Sequence, residues 1–184
     1  MKNIYIIGVP RSGKTTLAHL LKEEYPTFNL ISFEAIRNAF IKTQPQLQMD
    51  RRESPARKEI LPPFIFEFLN WNKKITKYGN IIEGDFITVE KIQNYIKEDD
   101  IIICLGFSKR SLEDISLAIK MHDTQKDYTK DWAQEKIQKH FYNLETEDEQ
   151  NYEACQKYHL PYYDTFENRI ETFKQFITLL IDAL

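Results

Sequence analysis

Residues 8–15 form the most specific pattern in the sequence and read GVPRSGKT. They match the pattern G-x-x-x-x-G-K-[ST] without a mismatch. An apolar, β-rich run at residues 3–7 precedes them, and a helical pattern begins at Lys14. In that setting the N–H groups of the loop and the amino end of the helix stabilise an anion. The sequence therefore predicts a phosphate-binding loop that joins the first strand to the first helix.

The residue types inside this loop suit different parts of phosphate binding. Gly8 and Gly13 permit backbone angles that other residues adopt only with strain. Lys14 supplies a mobile positive charge for the terminal phosphates, and the Thr15 hydroxyl can ligate Mg²⁺. Arg11 either contacts phosphate or points to solvent. The residues predicted to bind the nucleotide are Gly8, Arg11, Ser12, Gly13, Lys14, Thr15 and Thr16.

The composition excludes several classes of protein. The chain has 184 residues, a net charge of −3, and 42% hydrophobic residues, so it can bury an ordinary core in one domain. That charge provides no broad basic field for nucleic acid. No window approaches ~18 apolar residues, and the first apolar run is too short for a signal peptide. With only two cysteines, we expect a soluble cytoplasmic protein with reduced thiols.

Five short apolar runs alternate with helical patterns, which is typical of a parallel sheet with helices on both faces. The predicted strands are residues 3–7, 28–32, 80–83, 101–105 and 160–163. The segments between the second and third strands and between the fourth and fifth exceed an ordinary crossover. The sequence therefore predicts a three-layer α/β fold in a single domain, 1–184, with helical insertions at about 34–78 and 108–145.

Helical patterns fill most of the remaining chain. The predicted helices are residues 14–25, 34–41, 62–78, 88–97, 112–122, 132–144, 151–158 and 168–184. A stripe of large apolar side chains runs through residues 64–75 and is expected to pack in the core, with the lining of an acceptor pocket as the alternative. Residues 145–150 are acidic and are expected to form an exposed surface run between two helices.

The phosphate loop and three later segments resemble the P-loop kinases of the adenylate kinase-like group, which includes nucleoside monophosphate, shikimate, gluconate and polynucleotide kinases. The three segments are SFEAIR at 32–37, IIEGDFIT at 81–88 and LPYYDT at 160–165. The resemblance implies a sheet with the first strand at its centre and ATP and Mg²⁺ as cofactors. It also implies transfer of the γ-phosphoryl group of ATP to an acceptor.

The first of these segments contains the predicted acceptor residues Glu34 and Arg37, which lie three positions apart and share one face of a helix. The resemblance implies that Glu34 accepts the proton of the attacking hydroxyl and that Arg37 binds the acceptor. The alternative for Glu34 is a helix-start charge that the helix dipole favours.

Two carboxylates follow the predicted third strand. Glu83 and Asp85 lie on either side of Gly84, and the carboxyl ends of parallel strands line the ligand crevice. A carboxylate there holds Mg²⁺ through water or orients the acceptor, and the alternative is a turn with solvated carboxylates. We assign Glu83 to the metal and Asp85 to catalysis, and either Glu34 or Asp85 can be the base.

Arginines supply the remaining candidates. Arg37, Arg51, Arg52 and Arg57 cluster in one stretch of the chain. Because arginine forks match phosphate and carboxylate groups, we predict that Arg37, Arg51 and Arg52 bind the acceptor, with a solvated polar face as the alternative. Arg110 follows the fourth strand and resembles the start of a lid that reaches the transferring phosphoryl group, so it is predicted to be catalytic.

These features predict an ATP-dependent kinase that acts on a nucleoside, a nucleotide or a small hydroxylated metabolite. The lids of the resembled group carry several arginines, whereas residues 123–130 contain none. An ATP- or GTP-binding regulator with little transferase activity is therefore the alternative, and a nucleic-acid end kinase is a third reading. We expect a nucleotide and a small-molecule acceptor as partners, no nucleic acid and no membrane, and either a monomer or a dimer.

Overall fold

The computed structural model describes residues 2–50, 54–85, 87–125 and 127–181. The strands of the described chain are β1 (Ile4–Gly8), β2 (Asn29–Ser32), β3 (Asn80–Glu83), β4 (Ile101–Gly106) and β5 (Tyr162–Asp164). They form one five-stranded parallel sheet in the order β2-β3-β1-β4-β5. The predicted α/β fold is confirmed, and the first strand lies at the centre of the sheet.

Helices connect the strands, as the sequence predicted. They are α1 (Lys14–Glu24), α2 (Phe33–Thr43), α3 (Pro55–Glu59), α4 (Leu61–Thr76), α5 (Val89–Ile92), α6 (Leu112–His122), α7 (Gln134–His140), α8 (Leu144–Tyr158) and α9 (Arg169–Ile181). A short 3₁₀ helix occupies Pro45–Leu47. Among the described residues, no helix is both long and apolar enough to cross a membrane.

The helix predicted over 88–97 is much shorter than expected. It is helical only in α5, where the Thr88 hydroxyl accepts a hydrogen bond from the Lys91 N–H. Further along, the Asp100 carboxylate accepts the N–H groups of Lys97 and Asn3, both at 3.1 Å. A side chain that binds backbone N–H groups in this way competes with helix formation, so the chain turns here instead.

Backbone contacts divide the chain into two compact units. The first unit contains residues 1–7 and 14–103, and the second contains residues 8–13 and 104–184. In the first unit β3 pairs with β1 on one side and with β2 on the other, so that Glu83 is opposite Ile6 and Ser32. All four residues of β3 are buried, as expected of a strand with a neighbour on each side.

A buried polar network fixes the start of β3. The fully buried Asn80 donates from its amide to the Asn3 Oδ1 at 3.0 Å and to the Leu69 carbonyl at 3.2 Å. Its own Oδ1 accepts from Asn29 at 3.2 Å and from Asn72 at 2.7 Å. Since a buried amide is costly unless its donors and acceptors are paired, this network fixes the register of the strand.

We expect Asn80→Ala to lower the free energy of unfolding by about 2–3 kcal/mol, because it leaves several buried polar groups without a partner. Chemical denaturation monitored by circular dichroism measures the change. Asn94→Ala, at an exposed position, is the matched control and should leave the midpoint near that of the wild type. Equal midpoints for the two variants would show that the network adds nothing to stability.

The second unit is built on the pairing of β4 with β5, which sets Cys104 opposite Tyr162 and Gly106 opposite Asp164. Its apolar cluster consists of Val9, Phe107, Ile115, Ile119, Ile137, Phe141 and Leu144. Cys104 and Cys155 are both buried, and they form no disulfide with each other. This cluster packs α6, α7 and the start of α8 around the end of β4.

The apolar stripe of α4 is where the predicted core was wrong. Ile65 and Leu69 are buried, but Phe64, Phe68 and Trp71 are 43%, 40% and 58% exposed and Ile75 is 75% exposed. The helix therefore has two apolar faces, of which one is buried and the other is largely exposed. Hydrophobic periodicity alone cannot distinguish these two faces.

The acidic run at 145–150 is mostly exposed, as predicted, but it lies inside the continuous helix α8 and does not separate two helices. Glutamate is a good helix former, and Glu145 and Glu147 in the first turn interact favourably with the helix dipole. Asp148 is fully buried in the middle of this run. A segment that the sequence indicated to be surface therefore contributes a buried carboxylate.

Candidate active site

The backbone of residues 8–15 has the angles that require glycine. The φ angles are +127° at Gly8 and +93° at Gly13. A Cβ on Gly8 would lie 2.0 Å from the Leu105 carbonyl oxygen, and one on Gly13 would lie 2.8 Å from the Phe173 ring. Both contacts exclude a side chain, so these glycines are needed for conformation and for space.

The hydroxyl and the carboxylate predicted to hold a metal lie together in the first unit. Thr15, the second residue of α1, donates from its Oγ1 to the Glu83 Oε2 at 3.0 Å. Glu83 ends β3 and is only 6% exposed, and Lys14 beside Thr15 is 8% exposed. Two oxygen donors that already contact each other are ligands of the kind that Mg²⁺ prefers.

Gly84 turns the chain directly after Glu83. Its N–H donates to the Ile6 carbonyl at 3.1 Å, and its φ is +148°. A Cβ at this position would lie 2.6 Å from the Cβ of Phe33, the first residue of α2. Glycine is therefore needed at this turn, and the two predicted carboxylates, Glu83 and Asp85, lie on either side of it.

Asp85 lies between two arginines. Its carboxylate oxygens are 3.9 Å from an Nη of Arg37 and 3.7 Å from an Nη of Arg57. Among the described residues, the Nε of Arg37 and the Oδ1 of Asp85 are buried without a hydrogen-bond partner. The group therefore has polar capacity that protein contacts leave unused, as expected of a site for a polar ligand.

The other acceptor predictions have different outcomes. Glu34 lies in the first turn of α2 and is exposed, so the structure does not bring its carboxylate into the Arg37–Asp85–Arg57 group. Arg51 and Arg52 lie outside the described residues. Arg57, which the sequence analysis left out of the acceptor set, is the second arginine at Asp85. Its place in the arginine cluster was the signal that could have identified it.

In the second unit Arg11 faces protein carboxylates. It is in the left-handed region with φ +68°, and its guanidinium pairs with both Asp123 and Asp127. Arg169 donates from an Nη to the carbonyl of Arg11 at 2.9 Å. Neither of the two predictions for Arg11, contact with phosphate or exposure to solvent, describes this arrangement. The guanidinium is directed at the polar segment that follows α6.

Charge and burial shift the pKa values around Arg11. The hydrogen bond from Arg11 holds the pKa of the Asp127 carboxyl well below its usual range. Burial, with the nearby charge of Arg11, lowers the pKa of Arg169 to about 10. Threonine hydroxyls complete the arrangement, since Thr129 donates to Asp123 at 2.7 Å and Thr124 donates to Asp127 at 2.8 Å.

Arg110 lies at the surface after β4, where the sequence predicted the start of a lid. Its guanidinium is 4.7 Å from the centre of the Phe166 ring and 3.6 Å from the Glu167 carboxylate. The side chain is 42% exposed, so the ion pair is a solvated one. Arg110 therefore rests on the segment that follows β5.

The turn before Arg110 is held by two residues that the sequence analysis did not identify. The buried Asp148 accepts the N–H of Phe107 at 3.1 Å, and its Oδ1 accepts the Tyr162 hydroxyl at 2.7 Å. That hydroxyl in turn accepts the Ser108 N–H at 2.9 Å. Burial raises the pKa of both side chains. Only the fold brings these positions together, so no local pattern could have indicated them.

Comparison with solved structures finds the same fold in the crystal structure of a sugar kinase from Janibacter sp. HTCC2649, described as unliganded. The TM-score is 0.60 at 14% sequence identity, over 98% of this chain and 95% of that chain. At this identity the likeness establishes the α/β fold alone. No protein-family model and no curated protein matches the sequence. Membership of the adenylate kinase-like group therefore stays a prediction.

The low pKa of Asp127 makes the stability of the protein depend on pH. Because the folded-state pKa lies below the unfolded value, the Arg11–Asp127 pair stabilises the fold above about pH 4, and this stabilisation is lost as the pH falls further. We expect Asp127→Asn to unfold at a lower urea concentration than the wild type at pH 7. The two proteins should become more alike as the pH falls toward about 3.

Urea unfolding curves measured across this pH range provide the comparison. Asp131→Asn, which neutralises a nearby exposed carboxylate, is the matched control and should remain parallel to the wild type. A constant difference between Asp127→Asn and the wild type at every pH would contradict the linkage.

Proposed function

We propose that this chain is an ATP-dependent kinase that transfers the γ-phosphoryl group of ATP to a hydroxyl of a small acceptor. The observation that carries the proposal is a complete phosphate-loop pattern whose Thr15 hydroxyl is hydrogen-bonded, at 3.0 Å, to the buried carboxylate of Glu83. The fold shared with a solved sugar kinase supports it as well. Phosphoryl transfer depends mainly on positioning and charge stabilisation, which these residues can supply.

In this proposal the loop binds the phosphates of ATP. The backbone N–H groups between Gly8 and Gly13 would surround the phosphate oxygens, and α1 would present its positive end to them. Lys14 would contact the terminal phosphates. Ser12 and Thr16 complete the loop and the first turn of α1. Arg11 would be released from its aspartates only if phosphate competes for it.

The oxygen atoms of Thr15 and Glu83 fit Mg²⁺, since both are hard donors and already lie in contact. Thr15 would hold the ion directly, and Glu83 would hold it through water. When bound, Mg²⁺ supplies neutralisation of the phosphate charge. Without it, the Thr15 hydroxyl donates to Glu83, so the carboxylate orients the hydroxyl in advance.

The acceptor side of the proposal rests on the helical insertion at about 34–78 and on Asp85. Arg37 and Arg57 offer two guanidinium groups, and Asp85 holds both within 3.9 Å. Because Asp85 is committed to these arginines, we assign it to positioning and assign proton abstraction to Glu34, which is exposed. An acceptor with an anionic group would suit the arginines, and its hydroxyl would suit Glu34.

In this proposal the second insertion, at about 108–145, acts as a lid. Arg110 would provide the cation that stabilises the transferring phosphoryl group, and its contact with Glu167 is a solvated one that an anion can replace. Closure of this lid would exclude water and so limit hydrolysis of ATP.

One observation favours a second function, an ATP- or GTP-binding regulator. The segment after α6 directs two carboxylates, Asp123 and Asp127, at Arg11. The Arg11 guanidinium is thus already bound by protein carboxylates, which weakens its contribution to nucleotide binding and suits slow turnover. An acceptor screen that separates ATP hydrolysis from acceptor phosphorylation distinguishes the two functions, and oligonucleotide ends belong in the same screen. Hydrolysis without any phosphorylated acceptor would favour the regulator.

Lys14→Ala tests nucleotide binding. We expect it to reduce turnover by about 10²-fold or more, the scale of losing one preorganised group that stabilises the transition state. Turnover and ATP affinity are measured together, by coupled assay and by calorimetry. Lys174→Ala removes an exposed lysine from α9 and should behave as the wild type. A folded Lys14→Ala protein with unchanged affinity and turnover would disprove the proposed role of the loop.

Glu34→Gln and Arg37→Ala test the acceptor side once the screen has supplied an acceptor. Loss of a positioned base typically lowers kcat by about 10²–10⁴-fold, so Glu34→Gln should reduce kcat with little change in ATP affinity. Arg37→Ala should mainly raise the acceptor KM. Glu24→Gln, at an exposed position of α1, is the control. Normal turnover in both variants would mean that the two side chains are structural.

A further inference from the structure

The exposed face of α4 is a continuous apolar strip. Ile60 directly precedes the helix and Tyr78 follows it, and the six large side chains along this face are between 40% and 75% exposed. They are Ile60, Phe64, Phe68, Trp71, Ile75 and Tyr78. We refer to this set as the α4 strip. Contiguous exposed apolar surface of this kind usually marks an interaction site.

The spacing of the α4 strip confines it to one narrow face. At about 100° per residue, positions 60, 64, 68, 71 and 75 fall within an arc of roughly 80°. The buried residues of α4, such as Ile65 and Leu69, lie on another face and already pack within the unit. The strip is therefore a second apolar face that remains largely exposed, although Phe64 contacts Phe40 with 4.8 Å between the ring centres.

Two opposite charges flank the α4 strip on the same side. Glu67 and Lys74 are both exposed and are two helical turns apart. The ammonium of Lys74 lies over the Trp71 ring, 4.5 Å from its centre, so the positive charge is held against the carboxyl-terminal part of the strip. One edge of the strip is thus negative near its middle and positive toward its carboxyl end.

We propose that the α4 strip binds a second copy of this chain, with the two α4 helices antiparallel about a two-fold axis. Such an axis brings the same edge of both helices together. In the register that sets Phe68 opposite the partner's Trp71, Phe64 faces the partner's Ile75, and Ile60 faces the partner's Tyr78. The same register brings Glu67 within about 3 Å, along the axis, of the level of the partner's Lys74.

The order of charges is what selects a second copy over an unrelated partner. In the antiparallel arrangement each Glu67 meets a lysine and each Lys74 meets a glutamate, so the strip is complementary to itself. A parallel two-fold arrangement would bring this edge against the other edge of the partner helix, so Glu67 and Lys74 would not meet each other. Phe68 and Trp71 pair at the centre, where large aromatic residues contribute most to an interface.

The test is sedimentation velocity over a roughly hundredfold range of protein concentration, at low and at moderate salt. The wild type should shift from monomer to dimer. Glu67→Lys and Lys74→Glu, tested separately, should each raise the dissociation constant by roughly tenfold, because each replaces two attractive pairs with repulsive ones. Mixed in equal amounts, the two variants should associate as tightly as the wild type. Glu24→Lys, which makes the same charge change on α1, should leave association unchanged.

The mixing experiment makes the proposal specific, because only antiparallel pairing of this edge predicts that two weakened variants restore each other. Both substitutions are at exposed positions, and circular dichroism shows whether the variants are folded. A wild type that stays monomeric throughout would assign the strip to another partner and overturn the proposal. The proposal would also be overturned if both charge variants dimerised with the dissociation constant of the wild type, or if their mixture associated no more tightly than either variant alone.

Discussion

Parallel pairing of β3 with β1 is the constraint on which the proposed nucleotide site depends. It sets Glu83 opposite Ile6, two residues before the phosphate loop begins, and lets Gly84 bond to the Ile6 carbonyl at 3.1 Å. A slip of one residue would turn the Glu83 side chain to the opposite face of the sheet. The Thr15–Glu83 hydrogen bond would then be lost. The buried Asn80, at the other end of β3, prevents that slip, because its amide has partners in one register.

Candidate arginines in both units are already paired with carboxylates. Asp123 and Asp127 hold Arg11, Asp85 lies between Arg37 and Arg57, and Glu167 contacts Arg110. An anionic ligand would therefore exchange one negative partner for another, which lowers the net gain from each contact. The more buried pairs would resist exchange most, whereas the solvated Arg110–Glu167 pair would give way easily.

The sequence predicted the features whose causes are local. The phosphate loop, the five strands and helix 112–122 follow from short patterns, and the structure has strands and helices there. The partners of Arg11 are more than 110 positions away in the sequence, and no local pattern connects them. The same limit applies to Asp148. The acidic composition of its segment indicated a position at the surface, whereas the fold buries it. For helix α4, hydrophobicity predicted burial correctly on the face that contains Ile65 and Leu69 and wrongly on the face that forms the α4 strip.

The turn after β4 places Ser108 and Lys109 in a left-handed backbone conformation, which glycine adopts more easily than other residues. Ser108 and Lys109 have φ angles of +49° and +61°, and a left-handed residue other than glycine costs about 1–2 kcal/mol. The hydrogen bonds that the N–H groups of Phe107 and Ser108 donate to Asp148 and Tyr162 offset that strain. Glycine at position 109 would relieve the backbone but would remove the ammonium that lies 5.0 Å from the centre of the Tyr152 ring. Non-glycine residues in this turn thus place two positive charges side by side after β4, at a backbone cost that the hydrogen bonds offset.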